Sequence, residues 1–320
     1  MRRAAALVIT PLLAALALAG CGSQSSSSSS PAAASDTYKA VTATGTFGKA
    51  PTVKIPAEQG SGALYTKTVI QGSGAALTST EGMIGNYVAY DWSGKTHKLL
   101  GSSYTTGKPS LFTGTLLPGL ETALVGQKIG SRVLAVIPPK DGFGTSGNSN
   151  AGIGKTDTLV FVIDMVSAFD DNSVPGTQAT NGGGTLPTVT APAAGSTAGP
   201  TINIPAKVTP SKTLQVKTLI KGTGATVAKG ENLAVQYTGV NWRTGKVFDS
   251  SWARNAPYTV VIGAGQVIKG WDTGLVGQTV GSRVLLVIPP ADGYGKKGAS
   301  TAGINGTDTL VFVVDILAAD

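Results

Sequence analysis

Lys246-Val247-Phe248-Asp249-Ser250-Ser251 and, after a short gap, Gln266-Val267-Ile268-Lys269-Gly270-Trp271 are the two blocks that decide how this chain is read. The stretch is apolar and aromatic, with Asp249 as an acid that reads as buried. It holds no histidine, cysteine or paired carboxylates of the kind a hydrolase uses for acid–base or nucleophilic work. Residues 246–249 have strand composition, whereas Trp271 and Leu275, four apart, suit one face of a short helix over 271–276. Outward from there, residues 214–220, 233–239, 258–262, 283–288 and 309–316 read as strands by alternation and β-branched content. Strands wrapped around one short helix predict an antiparallel α+β fold, the helix lying across the concave face of the sheet.

The unit occurs twice. Gly126-Gln127, Gly130-Ser131-Arg132-Val133-Leu134 and Val136-Ile137-Pro138-Pro139 recur as Gly277-Gln278, Gly281-Ser282-Arg283-Val284-Leu285 and Val287-Ile288-Pro289-Pro290, an offset of 151 (277 − 126). Thr156-Asp157-Thr158-Leu159-Val160-Phe161-Val162 recurs as Thr307-Asp308-Thr309-Leu310-Val311-Phe312-Val313 at the same offset. Upstream, Tyr87 matches Tyr237 and Trp92 matches Trp242 at 150 (237 − 87), so one residue separates the copies near Ser93. Ile55-Pro56-Ala57 likewise returns as Ile204-Pro205-Ala206. A period this long is a duplicated domain rather than a solenoid repeat. The expected domains are 46–169 and 200–320. Residues 170–199, rich in Gly, Thr, Ala and Pro, read as a linker.

A chain of 320 residues has room for two domains, and Gly 44 with 13% charged residues suits a turn-rich β protein. The net charge of +8 is scattered without a basic block, so no nucleic-acid partner is expected. Arg2-Arg3 followed by the apolar 4–19 reads as a signal peptide, too short for a comfortable membrane span. It ends at Leu18-Ala19-Gly20-Cys21, which resembles the lipobox of bacterial lipoproteins. That resemblance implies removal of 1–20, a lipid on Cys21 and anchoring at the extracytoplasmic face of a bacterial cell membrane. Cys21 is the only cysteine, so no internal disulfide can form. Residues 21–45, rich in Ser and Ala, read as a flexible tether.

Over about 214–318 the second copy resembles the FKBP-type peptidyl-prolyl isomerase family. The motifs are Gln236-Tyr237-Thr238-Gly239, Gly245-Lys246-Val247-Phe248-Asp249-Ser250-Ser251, Gln266-Val267-Ile268-Lys269-Gly270-Trp271, Asp292-Gly293-Tyr294-Gly295 and Thr309-Leu310-Val311-Phe312, in that order. The resemblance implies a pocket with Trp271 as floor, Tyr237, Phe248 and Phe312 as aromatic walls, and Asp249 as an acid paired with Arg254. Val267 and Ile268 would form a rim strand, with the Ile268 N–H offered to a ligand carbonyl, and Gln266 beside them would contact the substrate. Tyr294, donating its hydroxyl to the ligand, and Ile304 would come from the long loop before the last strand. Tyr258 stands where the family usually has a Phe. The implied activity is rotation of X–Pro bonds with neither cofactor nor metal. Proline-containing exported polypeptides would be the partners, and macrolide inhibitors of the family possible ligands.

The first copy keeps Tyr87, Ile153 and Phe161, but Phe143 replaces the loop tyrosine and Leu120 replaces Trp271. Aligned by the repeat, His97 and Lys98 fall where Phe248 and Asp249 stand, Ser103 replaces Arg254, and Leu116-Leu117 replace Val267-Ile268. It is expected to fold like the second copy and to isomerise poorly or not at all, with Lys98 and His97 turned to solvent. The sole histidine, lacking a partner, makes a poor metal ligand. Gly152-Ile153-Gly154-Lys155-Thr156 looks like the end of a P-loop but has Ser149 where the first glycine belongs and no helix-forming run after it. A non-catalytic peptide-binding or chaperone lipoprotein on the same fold remains the alternative. An immunoglobulin-like sandwich is disfavoured by the missing Cys…Trp…Cys pattern.

Overall fold

The computed structural model describes residues 37–180, 182–193 and 196–320. Cys21, the signal segment and most of the expected tether lie outside them. By its internal contacts the chain divides into two compact units. Of the described residues, one comprises those up to Ala76, Asn86–Gly107 and Thr115–Met165; the other comprises Leu77–Gly85, Lys108–Gly114 and those from Val166 to Asp320. No helix among the described residues is long and apolar enough to cross a membrane.

The first copy contains β1 (Thr42–Thr44), β2 (Thr52–Lys54), β3 (Tyr65–Ile70), β4 (Glu81–Ser93), β5 (Thr96–Ser102), β6 (Ser110–Phe112), α1 (Pro118–Leu124), β7 (Arg132–Ile137) and β8 (Thr158–Asp170). The second contains β9 (Thr188–Thr190), β10 (Thr201–Asn203), β11 (Gln215–Ile220), β12 (Asn232–Asn241), β13 (Val247–Ser250), β14 (Tyr258–Val261), α2 (Lys269–Leu275), β15 (Arg283–Ile288) and β16 (Leu310–Ala319). Each copy builds one six-stranded sheet, in the order β3-β7-β8-β4-β5 with β6 on β4, and β11-β15-β16-β12-β13 with β14 on β12. The pairings are antiparallel, so the expected α+β architecture is the one observed. Val267 and Ile268 depart from expectation: they lie in the irregular loop before α2 rather than in a rim strand, and Ile268 is the N-cap of α2.

In the second sheet α2 lays Trp271 and Leu275 against Val284, Leu286 and Ile288 of β15 and Phe312, Val314 and Ile316 of β16. The helix can come this close because residue 270 is glycine: a Cβ there would lie 2.6 Å from Ile288 Cγ2, and at Gly119 2.4 Å from Ile137 Cγ2. The alternate residues, Leu285, Val287, Val311 and Val313, face the other way and are also buried, with Trp242, under the β9–β10 hairpin. The first sheet has the same second layer, in which Tyr38, Val41 and Ala43 cover Trp92, Leu134 and Val136.

These outer layers correct two boundaries. Residues 37–45 are folded rather than tether, and 170–199 contains β9 and the buried Val174 rather than an unstructured linker. A buried ion pair recurs beneath both layers, Arg132–Asp164 at 2.6 Å and Arg283–Asp315 at 2.7 Å. In the first copy the Arg132 guanidinium also donates to the carbonyls of Thr46 and Lys49, pinning the β1–β2 turn to the sheet.

Candidate active site

Five elements bring an aromatic cluster together at the mouth of the second sheet. Trp271, in the first turn of α2, is 3% exposed and meets the edges of Tyr237 on β12 at 5.1 Å and Phe312 on β16 at 5.3 Å. Phe248 on β13 stands perpendicular to Phe312 at 5.5 Å. Tyr258 on β14 closes the ring at 5.9 Å from Tyr237 and 6.4 Å from Trp271. Edge-to-face pairs of this kind hold shape at little entropic cost. They can form because the residue opposite Phe312 is Gly239, where a Cβ would lie 2.8 Å from both the Phe248 and Phe312 rings.

Asp249 is less buried than the sequence suggests: its side chain is 40% exposed and that of Arg254 50%. Its carboxylate is fully engaged. It accepts from the Tyr237 hydroxyl and from Arg254 Nη1, while Arg254 Nη2 donates to the same hydroxyl at 2.8 Å. The guanidinium carbon also sits 5.6 Å over the Tyr237 ring, within cation–π range. Burial, and then the hydrogen bond to Asp249, push the Tyr237 hydroxyl well above its ordinary pKa, so it stays a donor.

The rim is a pinned loop. Asp272, which sequence reasoning missed, accepts the N–H groups of Gly263 at 2.6 Å and Gly265 at 2.8 Å and so fixes the turn into α2. Its place in the first turn of a helix was the available signal. Along this loop Gln266 is exposed, Val267 and Ile268 are half-buried, and the Ile268 carbonyl accepts from the Trp271 N–H at 2.9 Å. The Ile268 N–H itself finds no acceptor among the described residues. Nor does the buried indole N–H of Trp271, so the floor carries an unmet donor. Tyr294, 42% exposed, precedes a 3-10 turn over Gly295–Lys297, and burial followed by the charge of Asp249 raises its hydroxyl pKa. Ile304 is buried against the same cluster. Ser251 was also missed; its hydroxyl accepts the Tyr237 N–H at 2.7 Å and donates to Gln236 Oε1, which sets the start of the turn carrying Arg254.

That serine corrects the alignment of the first copy. Ser103 Oγ accepts the Tyr87 N–H at 2.9 Å, so Ser103 is the counterpart of Ser251, not of Arg254. Strand register agrees: Gly239 opposes Asp249, and the matching Ala89 opposes Gly101. The β4–β5 hairpin is two residues longer than β12–β13, because the offset falls from 150 (237 − 87) to 148 (249 − 101) across it. His97 and Lys98 therefore lie near the tip of that hairpin, exposed, opposite Trp92 and Asp91. The true counterparts of Asp249, Arg254, Tyr258 and Trp271 are Gly101, Thr106, Ser110 and Leu120. A Cβ on Gly101 would already stand 3.0 Å from the Tyr87 hydroxyl.

Two antiparallel α+β modules, one of which gathers an aromatic cluster beside the Asp249–Arg254–Tyr237 network, define the class of fold. Residues 79–166 and 224–317 each match the family model of FKBP-type peptidyl-prolyl cis-trans isomerases. The chain is 42% identical over 109 residues to an FK506-binding protein of Streptomyces anulatus, which spans 34% of this chain and 88% of that protein. It is 43% identical over 105 residues to an FK506-binding protein of Neisseria meningitidis, spanning 32% and 94%. To the peptidyl-prolyl cis-trans isomerase FKBP2 of Mus musculus it is 48% identical over 89 residues, spanning 28% and 62%. The chain belongs to the FKBP-type peptidyl-prolyl cis-trans isomerase family and is an enzyme of that class.

Proposed function

We propose that the second module carries the X–Pro isomerase activity, through Tyr237, Phe248, Asp249, Trp271, Tyr294 and Phe312, and that the first module binds or spaces with little turnover. The observation that carries this reading is the Asp249–Arg254–Tyr237 network set against the Trp271 floor. In the first module Gly101, Thr106 and Leu120 stand at the positions of Asp249, Arg254 and Trp271.

An X–Pro bond is held planar by amide resonance behind a barrier of ~18–20 kcal/mol, and no bond is made or broken as it turns. Water stabilises the planar, charge-separated amide; an apolar pocket withdraws that help. A rigid aromatic cavity shaped for the twisted peptide then binds the transition state better than either planar form. The work left to polar groups is orientation. On this reading the Ile268 N–H and the Tyr294 hydroxyl hold substrate carbonyls at the rim. Asp249, with one partner on each oxygen, fixes Tyr237 and Arg254 rather than moving a proton. Lowering the barrier by about 5–7 kcal/mol gives roughly 10⁴–10⁵-fold.

The substrates on this reading are proline-containing exported polypeptides, and macrolides of the FK506 kind, for which relatives are named, occupy the same pocket. Leu18-Ala19-Gly20-Cys21 supports a lipid anchor at Cys21 that holds the folded part at the extracytoplasmic face of a bacterial membrane. Titration of the full chain with FK506, followed by prolyl-peptide turnover, tests the assignment. One equivalent should abolish activity; two required equivalents would place activity in both modules. For the anchor, Cys21→Ser should move the protein from the membrane to the soluble fraction, and an unchanged membrane fraction would remove it.

A further inference from the structure

Tyr258 differs from the other walls of the pocket in its polar end. Tyr237, Trp271 and Phe312 are 6%, 3% and 4% exposed, whereas Tyr258 is 37% exposed. Its ring is set by β14, where its backbone pairs with Val235, and it meets Tyr237 and Trp271 edge-on. The Tyr237 hydroxyl is consumed by Asp249 and Arg254, but the Tyr258 hydroxyl has no hydrogen-bond partner among the described residues. In water this group is satisfied. Once a substrate covers the pocket it needs an acceptor, because stripping a hydroxyl of water without replacing the bond is unfavourable. Proline has no side-chain acceptor to offer. On the reading above, the backbone carbonyls flanking proline are held by the Ile268 N–H and the Tyr294 hydroxyl, so the side chain of the residue before proline is the neighbour that can bring one.

We propose that Tyr258 is a specificity-determining residue that favours substrates whose residue before proline carries a hydrogen-bond acceptor over those with an apolar one. This rests on the second module's pocket being the isomerase site. A site that hydrogen-bonds a substrate group discriminates against the analogue lacking it, because its own polar group is then left unpaired.

The test uses the full chain and two matched peptides with Gln or Leu before proline. In Tyr258→Phe the ratio of kcat/KM for the Gln peptide to that for the Leu peptide should fall about five- to tenfold, the worth of one neutral hydrogen bond. A ratio equal to wild type, with both peptides changed by the same factor, would overturn the inference and make Tyr258 a wall residue only. A wild-type chain that turned over neither peptide would overturn the isomerase reading as well, so the two failures are distinguishable.

Discussion

At the strand position where the second sheet carries Asp249, the first carries Gly101, yet both sheets have the same strand order. The agreement extends to fine geometry. Phe143 and Tyr294 enter their 3-10 turns at φ −88°, ψ 4° and φ −91°, ψ 6°, and both modules hold the buried arginine–aspartate pair. The difference that bears on the aromatic cluster lies on one face of one end, where Ala89, Gly101, Ser110 and Leu120 stand at the places of Gly239, Asp249, Tyr258 and Trp271. Scaffold and pocket are thus separable: the outer layer, the ion pair and the helix-contact glycine define the fold, and the aromatic cluster is laid over it. Ala89 shows why the loss is not one substitution. It puts a Cβ where Gly239 lets Phe248 and Phe312 meet, so restoring the floor alone would not restore the cluster.

The strongest attempt to break this comparison removes the second pocket and asks what remains. In the full chain, Trp271→Leu with Asp249→Val should lower kcat/KM on a prolyl peptide by about 100-fold or more, roughly 3 kcal/mol of transition-state binding. Far-ultraviolet circular dichroism should be unchanged, since the first sheet folds with Leu120 and Gly101 at those positions. More than about a tenth of wild-type turnover in the double variant would mean that the first module is an isomerase in its own right.

Much of the fold was legible because its signals are local and doubled. Residues 283–288 coincide with β15, and the four-residue spacing of Trp271 and Leu275 located α2. Layers contributed by distant sequence were not legible. Arg283-Val284-Leu285-Leu286-Val287-Ile288 is buried along its whole length, a pattern that calls for cover on both faces. That pattern could have pointed to the β9–β10 hairpin inside the presumed linker. For the site, residue types were readable but register was not. A two-residue difference in hairpin length is invisible when two chains are aligned by blocks on either side of it. It moved His97 and Lys98 from the pocket to a hairpin tip.

A second contrast lies away from the pocket, where Asn241, Asp308 and Arg243 of the second module correspond to Asp91, Asp157 and Ser93 of the first. Arg243, and the hydrogen bonds from Asn305 and Asn241, hold the Asp308 carboxyl far below the usual range against the effect of burial. Asp91 has no such cation in contact: burial, then the charge and hydrogen bond of Asp157, raise it to about 6 despite Lys98. The signs are opposite. Asp91 binds its proton more tightly in the folded state, so its contribution is fully present below about pH 4 and is lost as pH rises through 6. Asp308 contributes above its unfolded pKa of about 4 and loses that contribution as pH falls. Hydrogen-exchange protection of β4, corrected for intrinsic rates, should therefore drop between pH 4 and 7 by at most about 2–3 kcal/mol. Asp91→Asn, which copies Asn241, should flatten the profile while β12 is unaffected. A β4 profile with the same slope in Asp91→Asn would show that the pair does not control stability.

The smallest expected effect tests how much a single polar group matters at the corresponding end of the first module. Phe143→Tyr restores the loop hydroxyl at a position whose backbone already matches Tyr294, and its half-buried ring needs no repacking to accept the added oxygen. Placed in the Trp271→Leu, Asp249→Val background, it should change turnover less than about twofold. The reason is physical: a hydroxyl aids rotation only if the peptide is held against a floor that excludes water, and Leu120 and Ala89 do not provide that floor. A gain of about tenfold from this one oxygen would mean that the first module already binds the twisted peptide and lacked only a donor. The boundary between scaffold and pocket would then have to be redrawn around Phe143.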